Sequence, residues 1–584
     1  MFRPRREQRS LFSASTLLPD AKRKRLEQTW AGVFRAKALP MIDESIFRHL
    51  FHADNGRPNK PVQTVIGLLI LKDVFDLTDL ESLERLAYDL MFHMALGLDV
   101  DETECCQKTL HNFRAKLMAT AADRLLFQSL TDKIIKTVGV DVGKQRLDST
   151  HIVSNIARLT RLGLFCETIR VFLAALKKNA PKDFDAVPEP LRKRYLKEDG
   201  AATRFGDAKS DECRRRLGVC ARDVWRLVDR FRGCEEVRTL ESYSLLERLL
   251  NDQCEITKTP NGGGDGDADN TEPGVPVEVK EPTTISPDSL QSPHDPDVTY
   301  SGHKGKGYEV QVAETHGNGE LPEIITHVEV TSSSGSDASA TLPTLDALAE
   351  RGIQPKEMAA DTTYCSTDNA IAAAARGTEL VGPVPGTASD TMPEDHLGKG
   401  DFLVDPNGER PSTCVGGQTA TKTERNDANG VLRLSFNGAV CAKCPFSDIC
   451  PARLLKDGTR VFTTTVRQAT MEQRRAYEQS EEFKERYAAR AGIEATNSEL
   501  KRAHGLGRLR VRRQPQVRLA VYLKAMACNV KRMVAHFVKA LRAAAKVTDV
   551  AMAGANCAVE AGRNGTQAVS PRPWLWFPTR CLTS

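Results

Sequence analysis

YAARAGIEATNSELK, residues 487–501, is the stretch on which the reading of this chain turns. On a helix advancing about 100° per residue, Tyr487, Arg490, Glu494 and Lys501 fall within roughly 60° of one another and form one polar stripe. The opposite side carries Ala489, Ile493, Leu500 and Ala503. Such a helix buries one side and presents an acid between cationic and phenolic neighbours. A metal ion and a phosphodiester both suit that stripe.

Two further acids stand in short, distinctive contexts: Leu147-Asp148-Ser149-Thr150-His151 and Ala359-Ala360-Asp361-Thr362-Thr363-Tyr364. Partial alternation over 145–153 suits a strand with Asp148 inside it or at its end, and Glu357 to Asp361 reads as a strand ending in the acid. Asp141 lies in a similar run and competes with Asp148. Between them stand Ser292-Pro293-His294-Asp295-Pro296-Asp297 and Gly305-Lys306-Gly307-Tyr308.

In order and context, these motifs resemble the bacterial insertion-sequence DDE transposases that share the Tyr-x2-Arg-x3-Glu-x6-Lys signature, from about residue 40 to about residue 540. Ser149-Thr150 matches the family's first-acid context and favours Asp148 over Asp141. The resemblance implies an α/β fold: an RNase H-like catalytic core with an N-terminal all-helical domain and large insertions. It implies that Asp148, Asp361 and Glu494 hold Mg²⁺, or Mn²⁺ in its place, while Tyr487, Arg490 and Lys501 position phosphate. Three oxygen-donor acids are what two hard cations about 3.5–4 Å apart require for in-line phosphoryl transfer. The implied reaction is cleavage at insertion-sequence ends followed by strand transfer. Its partners are double-stranded DNA, as inverted-repeat ends and as target, and a second copy of the chain in a synaptic homodimer. Two alternatives stand beside it. A metal-dependent nuclease without strand transfer would use the same acids, and an inactive domesticated DNA-binding derivative is expected to have lost an acid, Arg490 or Lys501, all of which are present.

The 584 residues are 27% charged and 40% hydrophobic, enough for two to four domains. No apolar run approaches the roughly 20 residues a membrane span requires. The basic N-terminus lacks an apolar signal core, so a cytoplasmic location is expected. The net charge of +5 is uneven: residues 501–546 hold thirteen Lys or Arg and no acid, whereas 251–297 holds eleven acids and two lysines. Such a basic stretch suits a phosphate backbone, and Arg508, Arg510, Arg512 and Arg513 are the expected DNA contacts. Of the fifteen cysteines, Cys414, Cys441, Cys444 and Cys450 cluster near turn formers, where they can supply four soft ligands to a structural Zn²⁺. Unliganded thiols and a redox pair are the other readings.

Residues 1–40 read as a basic arm and 41–135 as a helical domain for DNA-end recognition. There Val65, Leu68, Leu69 and Phe75 share a helix face, Thr78 to Glu81 form a capping box, and His111, Arg114 and Lys116 would face a duplex. The core is expected at 136–155, 295–380 and 481–545. It is interrupted by a helical insertion at 156–257, an acidic flexible linker at 258–294 and a cysteine-bearing insertion at 381–480. A disordered tail is expected at 546–584. His151 and His504 are candidates for groups supporting the carboxylates.

Overall fold

Strand β1, Lys144–Ile152, is buried on both faces at Leu147, Thr150 and Ile152 and forms the centre of a mixed sheet. β2 (Gly305–Thr315) runs antiparallel to it and to β3 (Ile325–Ser332), whereas β4 (Glu357–Ala360) and β5 (Glu379–Val381) run parallel to β1. The order across the sheet is β3-β2-β1-β4-β5, and a short strand, Thr299–Ser301, pairs with the start of β2. Helices Thr341–Ala349 and Thr367–Ala375 carry the chain from β3 to β4 and from β4 to β5, as parallel strands require. Leu147 pairs with Ala360, so Asp148 and Asp361 follow one another's neighbours on adjacent parallel strands. The computed structural model describes residues 2–5, 18–52, 58–99, 102–207, 210–256, 275–386, 397–407 and 410–560.

Helices α1 (Val62–Val74) and α2 (Ala122–Val138) belong to the N-terminal helical region, and Thr78 caps the next helix, Asp79–Tyr88, in a reciprocal box with Glu81. Near the C-terminus come α3 (Glu481–Ala488), α4 (Gly492–Ala503) and the long α5 (Gln514–Glu560). α5 packs against α1, α2 and β3, so the helical region and the sheet share one hydrophobic core instead of forming separate ones. Val517, Tyr522, Met526, Val530 and Met533 are buried along it.

This placement corrects the reading of α5 as a basic DNA-facing helix. Four of its cations pair with buried or partly buried acids, Arg518 with Asp123, Lys524 with Asp73, and Lys531 and Arg532 with Glu499, while Lys539 pairs with Glu320 at the surface. A lysine can lie in a core only when its ammonium is paired, and net charge along the sequence does not reveal the pairing. α5 also continues to Glu560, past the start of the expected disordered tail. Residues 561–584 of that tail, 257–274 around the expected acidic linker, and Met1 and 6–17 of the basic arm lie outside the described residues. Among the described residues, no helix is long and apolar enough to cross a membrane.

The insertion after β1 is helical and has its own core, formed by helices Arg161–Asn179, Ser210–Phe231 and Glu241–Gln253. A second insertion forms an antiparallel sheet of β6 (Lys422–Asn426), β7 (Val431–Phe436), β8 (Arg453–Leu454) and β9 (Arg460–Thr465), ordered β8-β9-β7-β6.

The Lys524 ammonium donates to Asp73 Oδ1 at 3.0 Å and to the His504 carbonyl at the end of α4, so one buried pair joins α1, α4 and α5. Asp73→Ala should therefore destabilise the chain by about 3–5 kcal/mol, because it leaves a buried charge unpaired. Asp73→Leu with Lys524→Met should recover most of that loss. Denaturation midpoints of the three proteins check this, and equal losses in the single and double variants would refute it.

A three-carboxylate candidate active site

Asp148 lies mid-strand in β1, Asp361 directly follows β4, and Glu494 sits in the first turn of α4. All three meet the guanidinium of Arg490. Its Nη2 lies 3.3 Å from Asp148 Oδ1 and 3.9 Å from Asp361 Oδ2, and its Nη1 lies 3.0 Å from Glu494 Oε1. Residues from three distant parts of the sequence thus converge on one cation. Asp148 is the most enclosed, its side chain 14% exposed, while Asp361 and Glu494 open to solvent at 46% and 66%.

Burial pushes the Asp148 carboxyl above its ordinary pKa, and the nearby Asp361 charge pushes the same way, against the pull of Arg490. Burial works against the Arg490 cation, yet Asp148 and the other acids hold its pKa above the ordinary value. The Tyr487 phenol is raised by burial and by the Asp361 and Asp148 charges, which places it beside the same centre. Tyr487 stacks on Phe483 with ring centroids 5.5 Å apart, and both pack against Ala359 and Val381. Lys501 is exposed and sits within electrostatic reach of Glu309 and Asp148.

The stripe is not one continuous helix. A 3₁₀ turn, Ala489–Ala491, separates α3 from α4 and places Arg490 at a corner. The cause is Arg146, two residues before Asp148. Its Nη1 donates to the Ala489 carbonyl at 2.8 Å, its Nε donates to Glu314 Oε1 at 2.8 Å, and it also pairs with Glu323. Gly492 makes room for it, since a Cβ there would lie 2.0 Å from Arg146 Nη1. Glu314 is fully buried and also accepts from Thr496 and Arg532, so α4 and α5 are fastened to the sheet behind the acids. α3 is held from its other side by Arg486, whose Nη2 bonds Glu357 at 2.9 Å and Glu379 at 2.6 Å.

Arg146, Glu314, Gly492 and Asn497 were not singled out from the sequence. Asn497 donates to Asp148 Oδ2 at 3.3 Å. Its position three residues after Glu494, on the same helix face, was the available signal. Asp141 lies in a turn before β1, where its Oδ1 accepts from Gly143 N, and takes no part in the site. His504 is fully buried with Nδ1 on the Asp73 carbonyl, and His151 stands 3.6 Å from Glu309.

The four arginines expected on DNA divide. Arg510 bonds the Leu77 carbonyl and Arg513 pairs with Glu241 at 2.9 Å, whereas Arg508 and Arg512 are exposed without a partner among the described residues. In the N-terminal region Arg114 pairs with Asp79 and Lys116 covers the Phe51 ring, leaving His111 exposed.

Glu499, His504 and Cys528 are the one set of three described residues whose ligand atoms all lie within 4.8 Å of one another. Lys531 and Arg532 already neutralise Glu499, so two cations would face any metal there. The oxygen donors of Asp148, Asp361 and Glu494 are the better chemical set for a hard divalent ion, with two of the three open to solvent. Their oxygens do not all lie within 4.8 Å of one another, so a metal would have to draw them together and displace Arg490.

Two stretches of the chain match known families. Residues 25–116 match a transposase domain (DUF772), and residues 413–534 match a transposase DDE domain. Both matches are to transposases. The DDE match spans Tyr487, Arg490, Glu494 and Lys501, while Asp148 and Asp361 lie outside it and are joined to it by geometry. No curated protein and no solved structure matches the chain.

Gly492→Ala forces the Arg146 guanidinium to move and should cost about 1–3 kcal/mol, as overpacking does; a melting point unchanged from that of the parent would show that Arg146 does not need this space. Asp148→Asn should stabilise the metal-free protein near neutral pH. A carboxyl with a raised folded pKa contributes stability that is present below its unfolded value of about 3.8 and lost as the pH rises through the folded value. The advantage of the Asn variant should therefore vanish in acid, and melting curves at the two pH values measure it.

Proposed function

We propose that this chain is a transposase that cuts DNA at insertion-sequence ends and joins the freed strand to target DNA, with divalent metal held by Asp148, Asp361 and Glu494. The observation that carries this reading is the convergence of those acids on Arg490. The strand order β3-β2-β1-β4-β5, with β2 antiparallel to β1 and β3 and with β4 and β5 parallel to β1, supports an RNase H-like core. The transposase matches support the substrate class.

Mg²⁺ or Mn²⁺, when bound, would lower the pKa of the attacking water or hydroxyl and stabilise the charge on the leaving oxygen. The chain's own groups hold and orient the DNA. Asn497 and β1 fix the enclosed Asp148, while Asp361 and Glu494 approach from the solvent side. Arg490 balances the acids and offers a planar donor to a phosphate entering between them. Tyr487 and Lys501 flank the same opening. In cleavage an oxygen of water bonds to phosphorus as a 3′-oxygen departs. In joining, that 3′-hydroxyl becomes the nucleophile and a target 3′-oxygen departs. A homodimer would bring two ends together.

Glu494→Gln and Asp148→Asn should each lower Mg²⁺-dependent cleavage of a donor duplex by on the order of 10³-fold or more, because a metal site contributes several kcal/mol to such a transition state. Affinity for the duplex should stay nearly unchanged. Joined donor–target product separates a transposase from a nuclease, and cleavage that survives both substitutions would refute the assignment. Arg508→Ala with Arg512→Ala should weaken duplex binding and reduce its salt dependence by about two units of slope, at about 0.9 per phosphate contact. An unaltered slope would move the DNA contact elsewhere.

A further inference from the structure

The insertion built on β6–β9 holds four thiols for which phosphoryl transfer has no use. We infer that Cys414, Cys441, Cys444 and Cys450 form a tetrathiolate site for one zinc ion, which ties together the turns of this subdomain. Cys414 opens a tight turn: Gly417 N donates to its carbonyl at 2.9 Å, Cys414 N donates to Gln418 O at 2.9 Å, and Gly417 takes φ +73°. Cys441 ends the one-turn helix Gly438–Cys441, and Cys444 N donates back to the Cys441 carbonyl at 3.2 Å. Two cysteines two residues apart in a turn make one half of a thiolate metal knuckle. Cys450 closes the same loop, just before Pro451.

The fold brings Cys414 to this loop. A Cβ on Gly416 would lie 3.0 Å from Cys444 Sγ and 3.7 Å from Cys414 Sγ, so sulfurs from two separate turns flank one point that only a glycine leaves open. Cys414, Cys441 and Cys450 pack against one small core cluster, so the thiols of the loop and of the Cys414 turn share one neighbourhood. Arg460 reaches into the loop and donates to the Ser447 carbonyl at 3.0 Å and to its hydroxyl at 2.9 Å. Its single charge would offset one of the two negative charges of a zinc tetrathiolate.

The subdomain needs such a tie. Its core has eight buried side chains, against which Cys414, Cys441 and Cys450 pack. A core of that size supplies little stability unaided, and small domains commonly gain it from metal. All four cysteines are free thiols. Zinc–sulfur bonds near about 2.3 Å set the sulfurs about 3.8 Å apart. No three of these sulfurs lie within 4.8 Å of one another in the metal-free chain. Closing the site requires the side chains to rotate in their turns, with each bound thiol releasing its proton.

The test is the zinc content of the full chain, purified under reducing conditions without added metal, together with that of Cys444→Ser and of Cys234→Ser as a control outside the cluster. One zinc per chain is expected in the parent and in the control, and none in Cys444→Ser. Should Cys444→Ser fail to fold, Co²⁺ added to the chelator-stripped parent decides: a tetrahedral thiolate site gives intense thiolate-to-metal and d–d absorption, which one equivalent of Zn²⁺ should abolish. A parent without stoichiometric zinc whose Co²⁺ spectrum is that of the aqueous ion overturns the site, as does zinc retained in Cys444→Ser. DNA cleavage is not the readout, so failure here leaves the three-carboxylate centre untouched.

Discussion

Everything at the candidate active site depends on the placement of one guanidinium among three carboxylates. Asp148, Asp361 and Glu494 cannot share so small a space as bare anions, because like charges at these separations raise one another's pKa and favour protonation over ionisation. Arg490 removes that conflict by contacting all three at 3.0–3.9 Å. The same contacts keep the three acids on one centre, the arrangement in which oxygen donors suit a divalent cation. Arg490 therefore satisfies a structural requirement of the resting chain, the balancing of three acids on one centre.

Arg490 is held there by a second layer of charge beneath the surface. Arg146 reaches from β1 under the corner between α3 and α4, and Glu314 on β2 collects Arg146, Arg532 and Thr496. A buried arginine–carboxylate network is weak evidence for stability, since desolvation opposes it. Its geometry is nonetheless specific: the guanidinium must reach the Ala489 carbonyl, and only a glycine at 492 leaves the path clear. We take the network as the device that fixes the corner, and hence the direction in which Arg490 and Glu494 point.

Much of this was legible before the structure. Alternation marked β1, the run from Glu357 into Asp361 read as the strand β4, and Leu147 pairing with Ala360 is the register that the two acid motifs needed. The capping box at Thr78 and the helix at Thr367–Ala375 follow from local rules that neighbours did not override. The break between α3 and α4 was not legible, because its cause is Arg146, more than three hundred residues away in sequence. The role of α5 was misread for a related reason. Its cations look like a DNA surface in one dimension, yet the acids that pair with them, Asp73, Asp123, Glu320 and Glu499, come from several elements. Charge along a chain states a supply of cations, and only the packing decides whether solvent or the core receives them.

The central claim is that the three carboxylates together hold divalent metal. Crystals of the full chain grown with Mn²⁺ test it directly, through anomalous difference density at the manganese edge. The account predicts density bounded by Asp148, Asp361 and Glu494, with the Arg490 guanidinium withdrawn from at least one of them. Density confined to the neighbourhood of Glu499 and His504, or no ion at the three acids at saturating Mn²⁺, would contradict it.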